Sequence, residues 1–293
     1  MPVEVGVVDQ PSRVDLWSLV LSSATIAHCF EKRADGWVVM VPPYLAGRAR
    51  RELELFEQEN AGWPPVESRR GDSAPLGPVH LPLVVLILGA LMGFHGVTGP
   101  WLPGNDWFVR GAVWGRAMFA DHEWWRLITA LTLHSGPVHL TGNVAVGGVL
   151  LFFLANRLGI GLGFFLALLA GAVGNGLNVC LQGAEHLSAG FSTAVFGMVG
   201  ILCGLEIRRG GTAREVLLPL GAGFALLAML GTTGERTDLW AHWWGLLAGL
   251  GLGILLSRAP GRQAWSGRIF PQTLLFLIGA GLLLGAWAMA LAV

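Results

Sequence analysis

The stretch Gly190-Phe191-Ser192-Thr193-Ala194-Val195-Phe196-Gly197 opens an apolar run that continues through Gly200 and Gly204 to Arg208-Arg209. Ala189-Gly190 breaks the chain just before it, so a helix is predicted to begin at Ser192 with a hydroxyl at its mouth. A second run, Leu239 to Leu256, has the same form, with Ala241-His242-Trp243-Trp244-Gly245 near its start. His242, Gly245, Gly249 and Gly253 follow at spacings of three, four and four and share one helical face. Gly197, Gly200 and Gly204, at spacings of three and four, form a matching ridge on the first helix. Two smooth ridges let two backbones approach closely, which would bring Ser192 near His242. A serine with a distant histidine is the minimal kit for nucleophilic catalysis.

The rest of the 293-residue chain supports a setting in lipid. Hydrophobic residues make up 53% and charged residues 13%, which excludes an ordinary soluble domain and predicts a polytopic membrane protein. The 43 glycines suit close helix packing and the 13 tryptophans suit membrane interfaces. Lys32 is the only lysine, and the formal net charge of zero argues against nucleic acid as a partner. Cys29, Cys180 and Cys203 have no Cys-x-x-Cys spacing and read as small buried apolar residues, not as a disulfide framework or zinc site.

A transmembrane helix needs about 20 apolar residues. Segments that qualify run from about Leu81 to Val97, His139 to Arg157, Gly159 to Leu181, Ser192 to Arg209, Val216 to Leu230, Leu239 to Leu256, and Gln272 to the carboxyl end. Residues 1–62 differ in kind: Arg13 to Phe30 reads as an amphipathic helix, Gly36 to Pro42 as a short strand, and Ala46 to Asn60 as a charged helix. A small α/β module is expected there, followed by a Pro- and Gly-rich linker at 63–79, a membrane core at 80–257, and a loop with the seventh helix at 258–293.

Arginine placement sets the orientation. Arg69, Arg70, Arg157, Arg208, Arg209, Arg214, Arg258, Arg262 and Arg268 fall at one set of alternate helix ends, so the positive-inside rule puts the amino-terminal module in the cytoplasm. The Trp-rich segment 99–126 is then outside, as are His139, Ser192 and His242. Met1 to Gln10 lacks the basic start and apolar stretch of a signal peptide, and no Arg- and Ser-rich transit segment is present. A bacterial inner membrane is the expected location.

The element His134-Ser135-Gly136-Pro137-Val138-His139-Leu140-Thr141-Gly142-Asn143 supplies donors at the same depth. His139 and Asn143, four apart, share a face and can both donate to one point, as an oxyanion requires. His134 lies off that face or before the helix. A metal site is disfavoured because Asn is a poor ligand and no third His, Cys or carboxylate has useful spacing. Each residue also has an ordinary reading: Ser192 as a helix cap, the glycines as packing, and the histidines, with Asn175, Asn178 and Gln182, as satisfied interhelical polar groups.

Taken together these residues resemble the rhomboid family of intramembrane serine proteases. Trp125-Arg126, His134-x4-His139-x3-Asn143, Gly190-x-Ser192 and Ala241-His242-x2-Gly245-x3-Gly249 follow the family's motifs in order, covering about residues 80–257. The resemblance implies an all-α six-helix core, here with a seventh transmembrane helix and the amino-terminal α/β module added. It implies Ser192 as nucleophile, His242 as general base and then acid, and His139, Asn143 and the Ser192 N–H around the oxyanion. It also implies that segment 99–126 dips into the outer leaflet and that the fifth helix gates substrate access. Thr193 stands where Gly is common, and Phe196 stands where an aromatic, often Tyr, stacks on the catalytic imidazole.

The function expected is cleavage of transmembrane-helix substrates near the outer face by a Ser-His dyad, with membrane lipid as surroundings and no cofactor. Residues 1–62 are open to a cytoplasmic partner. A catalytically silent client-binding protein would have no chemical reason to keep both Ser192 and His242. A transporter would show inverted repeats, and no internal repeat is seen.

Overall fold

In the computed structural model, residues 1–8, 11–33, 36–60, 78–208, 221, 238–258 and 268–293 are described. They fall into two units, Met1–Asp72 and Ser73–Val293. The first contains β1 (Val3–Val8), α1 (Pro11–Ser23), β2 (Cys29–Arg33), β3 (Gly36–Val41) and α2 (Ala46–Glu59). Its antiparallel sheet has the order β1-β3-β2, with Val8 opposite Trp37 and Cys29 opposite Met40. Leu21, Ile26, Val39, Val41, Ala49 and Leu53 form its buried core.

One sequence expectation needs correction in this unit. The helix expected to reach Phe30 stops at Ser23, and Thr25 turns left-handed with φ 57°, which frees Cys29 and Phe30 to join β3 as a strand. Strand β1, for which no expectation was made, carries a register shift between Glu4 and Gly6. The bulge has a packing reason, since a Cβ on Gly6 would lie 2.8 Å from the Trp17 ring.

The second unit contains α3 (Leu81–Thr98), α4 (Asp106–Gly111), β4 (Val113–Trp114), α5 (Gly115–Ala120), α6 (Arg126–Thr129), α7 (Pro137–Leu158), α8 (Ile160–Gln182), β5 (Leu187–Ser188), α9 (Ser192–Arg208), α10 (Leu239–Ser257) and α11 (Ile269–Ala292). Among the described residues, α3, α7, α8, α10 and α11 are long and apolar enough to cross a membrane. The chain is therefore an integral multi-pass membrane protein. The helix expected at 216–230 lies outside the described residues, as do most of the expected linker and Arg69, Arg70, Arg209, Arg214 and Arg262.

Helix α9 is the centre of this unit. Ala194, Val195, Met198, Ile201 and Leu205 are at most 2% exposed and pack with Leu131, Leu151, Leu154 and Leu168. Helix α10 lies against it almost backbone to backbone. A Cβ on Gly245, Gly249 or Gly253 would collide with the carbonyl of Thr193, Gly197 or Ile201, and one on Gly204 would lie 2.6 Å from the Leu250 oxygen. These contacts climb both helices in the same direction, so α9 and α10 are parallel and their first turns are neighbours. Helix α8 runs antiparallel to both, because a Cβ on Gly174 would lie 2.8 Å from the Gly245 Cα and one on Gly171 would lie 3.0 Å from the Ala194 Cβ.

Segment 99–126 is largely structured. Asn105 caps α4 by accepting from the Trp107 N–H at 3.0 Å, and β4 pairs antiparallel with β5, setting Val113 opposite Ser188. Helix α11 packs against α8, α6 and α4. Its Gln272 closes the α7–α8 turn: Oε1 accepts from the Leu162 N–H at 3.0 Å and Nε2 donates to the Leu158 carbonyl at 2.9 Å. These backbone groups belong to helix ends, which have no intrahelical partner, and water is scarce in lipid. Gln272→Leu should therefore destabilise the protein by about 1–3 kcal/mol for each group left without a partner, read as a lower thermal midpoint. A midpoint equal to wild type would mean that α11 does not hold this turn.

Candidate active site

Parallel packing of α9 and α10 puts the residues of the two glycine ridges in one place. His242 Nε2 lies 2.7 Å from Ser192 Oγ, and the two residues are 4% and 9% exposed. That separation is a normal hydrogen bond, with the proton on one partner set by the tautomer of the ring. The imidazole stacks on Phe196, with ring centroids 4.6 Å apart and an interplanar angle of 19°. Phe196 is one turn below Ser192, so a single helix supplies both the hydroxyl and the platform for the ring. His242 Nδ1 is buried and has no hydrogen-bond partner among the described residues.

His139, in the first turn of α7, reaches the same place. Gly190 has φ 150°, and a Cβ there would sit 2.8 Å from His139 Cε1, 3.2 Å from His139 Nε2 and 3.3 Å from Ser192 Oγ. The absent side chain lets imidazole and hydroxyl approach this backbone closely, and the two side chains line one small hollow. Ser135 Oγ lies 3.1 Å from His139 Nδ1, and a proton given by this hydroxyl leaves Nε2 as the N–H that faces the hollow. Asn143, 1% exposed, spends one amide N–H on the His139 carbonyl at 3.0 Å, while its Oδ1 has no partner among the described residues. The Ser192 N–H opens α9, where backbone donors lack intrahelical acceptors.

The connection from α8 to α9 is fixed at several points. Gly190 N–H donates to the Ala130 carbonyl at 2.9 Å, Gly115 N–H donates to the His186 carbonyl at 2.9 Å, and β5 pairs with β4. Trp125-Arg126 brace the neighbouring segment 109–112. The Arg126 guanidinium, 3% exposed, donates to the Ala112 carbonyl at 2.9 Å and the Val109 carbonyl at 2.8 Å and pairs with Glu123. Trp125 Nε1 donates to the Arg110 carbonyl at 3.4 Å. Gly245 and Gly249 act through packing, as described above.

His134 precedes α7 and is fully buried, with its ring 5.3 Å from that of His139 and 6.3 Å from that of His95. Burial, the neighbouring His139 and His95 together push its pKa down to about 3, with only the Thr132 backbone acting the other way. It is therefore neutral near neutral pH. Its contribution is packing beneath His139.

Sequence reasoning placed no role on Asp238 or His186. Asp238 caps α10 by accepting from the Ala241 N–H at 3.0 Å, and it lines the same small cleft as Ser192, His242 and His139. Its second oxygen lies 3.0 Å from His186 Nε2 and accepts from Asn178 Nδ2 at 2.6 Å. Burial works against its charge, but the bonds from His186, the Ala241 N–H and Asn178 prevail and hold the carboxyl below its ordinary value. The signal available was a cap residue four before a histidine, Asp238-x3-His242. Nothing marked His186 as its partner, since the two are far apart in sequence. Asn175 donates to the Leu127 carbonyl at 3.0 Å, an interhelical bond of the ordinary kind.

A model of the Rhomboid domain matches residues 121–259, a span that includes all of these residues except part of the outer segment. The putative rhomboid protease YdcA of Bacillus subtilis is 30% identical over 150 residues, which cover 49% of this chain and 73% of that protein. RHOMBOID-like protein 5 of Arabidopsis thaliana is 31% identical over 163 residues, 50% of this chain and 48% of that protein. The rhomboid protease GluP of Bacillus subtilis is 28% identical over 174 residues, 57% of this chain and 32% of that protein. The chain thus spans most of the first relative and half or less of the other two. With these likenesses and the serine and imidazole brought together across α9 and α10, the chain belongs to the rhomboid family of intramembrane serine proteases.

Proposed function

We propose that this protein cleaves the transmembrane helices of other membrane proteins by a Ser192-His242 dyad. The observation that carries the reading is the 2.7 Å contact between His242 Nε2 and Ser192 Oγ in a buried setting. His242 takes the serine proton as Oγ attacks the peptide carbonyl, then returns it to the leaving amine. With Nδ1 free of any carboxylate among the described residues, the stack on Phe196 and the packing of α10 orient the ring. The hollow at Gly190 is where the tetrahedral anion fits, met by His139 Nε2–H, the second amide N–H of Asn143 and the Ser192 N–H. Water completes the cycle by hydrolysing the acyl-enzyme.

The depth of the site follows from helix length. Helix α9 has 17 residues, about 25 Å at 1.5 Å per residue, against a hydrocarbon thickness of about 30 Å. If Arg208 reaches one surface, Ser192 begins inside the other. Arg157, at the end of α7, pairs with Glu206 near the end of α9, so the charged ends of these helices lie together, away from Ser192. The positive-inside rule makes that end cytoplasmic, so cleavage falls near the outer face and substrates with helix-weakening Gly or Pro near the cut are favoured. The amino-terminal unit then lies on the cytoplasmic side, open to a partner there.

A fluorophosphonate tests the chemistry without a known substrate. Wild-type protein in detergent should be labelled at Ser192, and His242→Ala should be labelled at least about a hundredfold more slowly because the hydroxyl loses its base. Labelling of both at one rate would remove the dyad. A client-binding protein without catalysis would take no label in either form.

A further inference from the structure

Asp238 does more than a helix cap requires. A cap needs one oxygen, and Oδ1 fills that role by accepting from the Ala241 N–H. Oδ2 is used by two groups from other parts of the fold: His186 Nε2 at 3.0 Å, from the connection that leads to Ser192, and Asn178 Nδ2 at 2.6 Å, from α8. Asn178 Nδ2 also lies 2.9 Å from His186 Nε2, so the three side chains close a triangle. Side chains of His186 and Asp238 are 12% and 16% exposed, which shields their bonds from competition by water.

The triangle joins the two halves of the site. His242 follows Asp238 by one helical turn, while Gly190 and Ser192 follow His186 by four and six residues. Low on the helices, glycine packing fixes the distance between α9 and α10. At the outer end that packing runs out: Gly245 is the last ridge glycine, and His242 stands beyond it. There the carboxylate bonds tie the first turn of α10 to the connection and to α8, beside the Ser192–His242 bond and the Phe196 stack.

We propose that Asp238, with His186 and Asn178, is a positioning clamp that sets the His242–Ser192 distance and is required for turnover although it bonds neither residue's side chain. This rests on the dyad reading above. Groups displaced by about 1 Å can lose about a hundredfold in rate, so a clamp at this point acts on turnover more than on substrate affinity. Among the described residues, the titratable side chains near the carboxylate are His186 on the connection, His139 on α7 and His242 on its own helix, whereas α8 presents neutral Asn175 and Asn178.

The test is a set of substitutions assayed on a reporter transmembrane substrate, with active sites counted by fluorophosphonate. Asp238→Asn keeps a good cap and removes the charge, so the melting temperature should stay close to wild type. Its kcat per labelled site should fall about tenfold to a hundredfold with KM within about twofold. His186→Ala and Asn178→Ala should each lower kcat in the same pattern, and Asp238→Asn with His186→Ala should be little worse than Asp238→Asn alone, because the two form one link. Wild-type kcat in Asp238→Asn overturns the clamp. Should Asp238→Asn fail to fold, wild-type kcat in both His186→Ala and Asn178→Ala overturns it equally. A wild-type protein that neither cleaves nor labels would instead overturn the dyad, and the clamp with it.

Discussion

Ser192→Ala is expected to abolish cleavage of a reporter transmembrane helix, with a fall in kcat of about 10⁴-fold or more, while the protein stays folded. The serine is 9% exposed and its hydroxyl makes the bond to His242 at 2.7 Å, so its removal deletes one oxygen from a well-packed site. Among the described cleft residues, which include the hydroxyls of Ser188 and Thr193, Ser192 is the one bonded to the imidazole of His242, while His139 faces the hollow as a donor and Asp238 is committed to Ala241, His186 and Asn178. His242→Ala should be as damaging, since an unassisted serine hydroxyl is a weak nucleophile. The two losses should not add. When nucleophile and base act as one unit, removal of either costs nearly as much as removal of both, so the double variant should match the single ones. The measurement is cleavage in detergent and in vesicles for wild type, both single variants and the double variant. Cleavage by Ser192→Ala at even a tenth of the wild-type rate would rule out Ser192 as nucleophile.

Much of this arrangement was legible in the chain, and the reason is that lipid restricts the options. Apolar length alone marks α3, α7, α8, α10 and α11, because backbone in a membrane must satisfy itself within helices. The ridges Gly197-Gly200-Gly204 and Gly245-Gly249-Gly253 also announce their contact, since a row of glycines on one face has few other uses. What the sequence could not reveal is which polar side chains meet through folding. Asn178, His186 and Asp238 sit on three segments, and no periodic pattern relates them. Asn143 illustrates the other limit: its spacing from His139 gave the shared face, but the use of one amide N–H on the His139 carbonyl depends on a rotamer. In the amino-terminal unit, propensity misled over Arg13 to Phe30, because an apolar run of mixed period fits a helix as well as a helix, turn and strand.

The largest structural effect is expected from a single methyl group on the α9–α10 ridge. In Gly249→Ala the new Cβ would overlap the Gly197 carbonyl oxygen and crowd its carbon at 2.7 Å. Those atoms are backbone in the middle of a buried helix and cannot rotate away as a side chain would. The helices must separate or shift along one another, which costs upward of about 1–3 kcal/mol and moves His242 away from Ser192. A shift of about 1 Å at the reacting groups lowers the rate about a hundredfold, so activity should fall much further than the melting temperature implies. Gly251→Ala supplies the control, since it lies on the same helix and a Cβ there meets nothing within 4 Å. It should keep wild-type activity and gain about 0.5–1 kcal/mol from the better helix propensity of Ala. Thermal unfolding and kcat measured side by side on the two variants decide the matter. If Gly249→Ala behaves like Gly251→Ala, the ridges do not set the distance between serine and imidazole, and the close packing of α9 and α10 cannot be what builds the site.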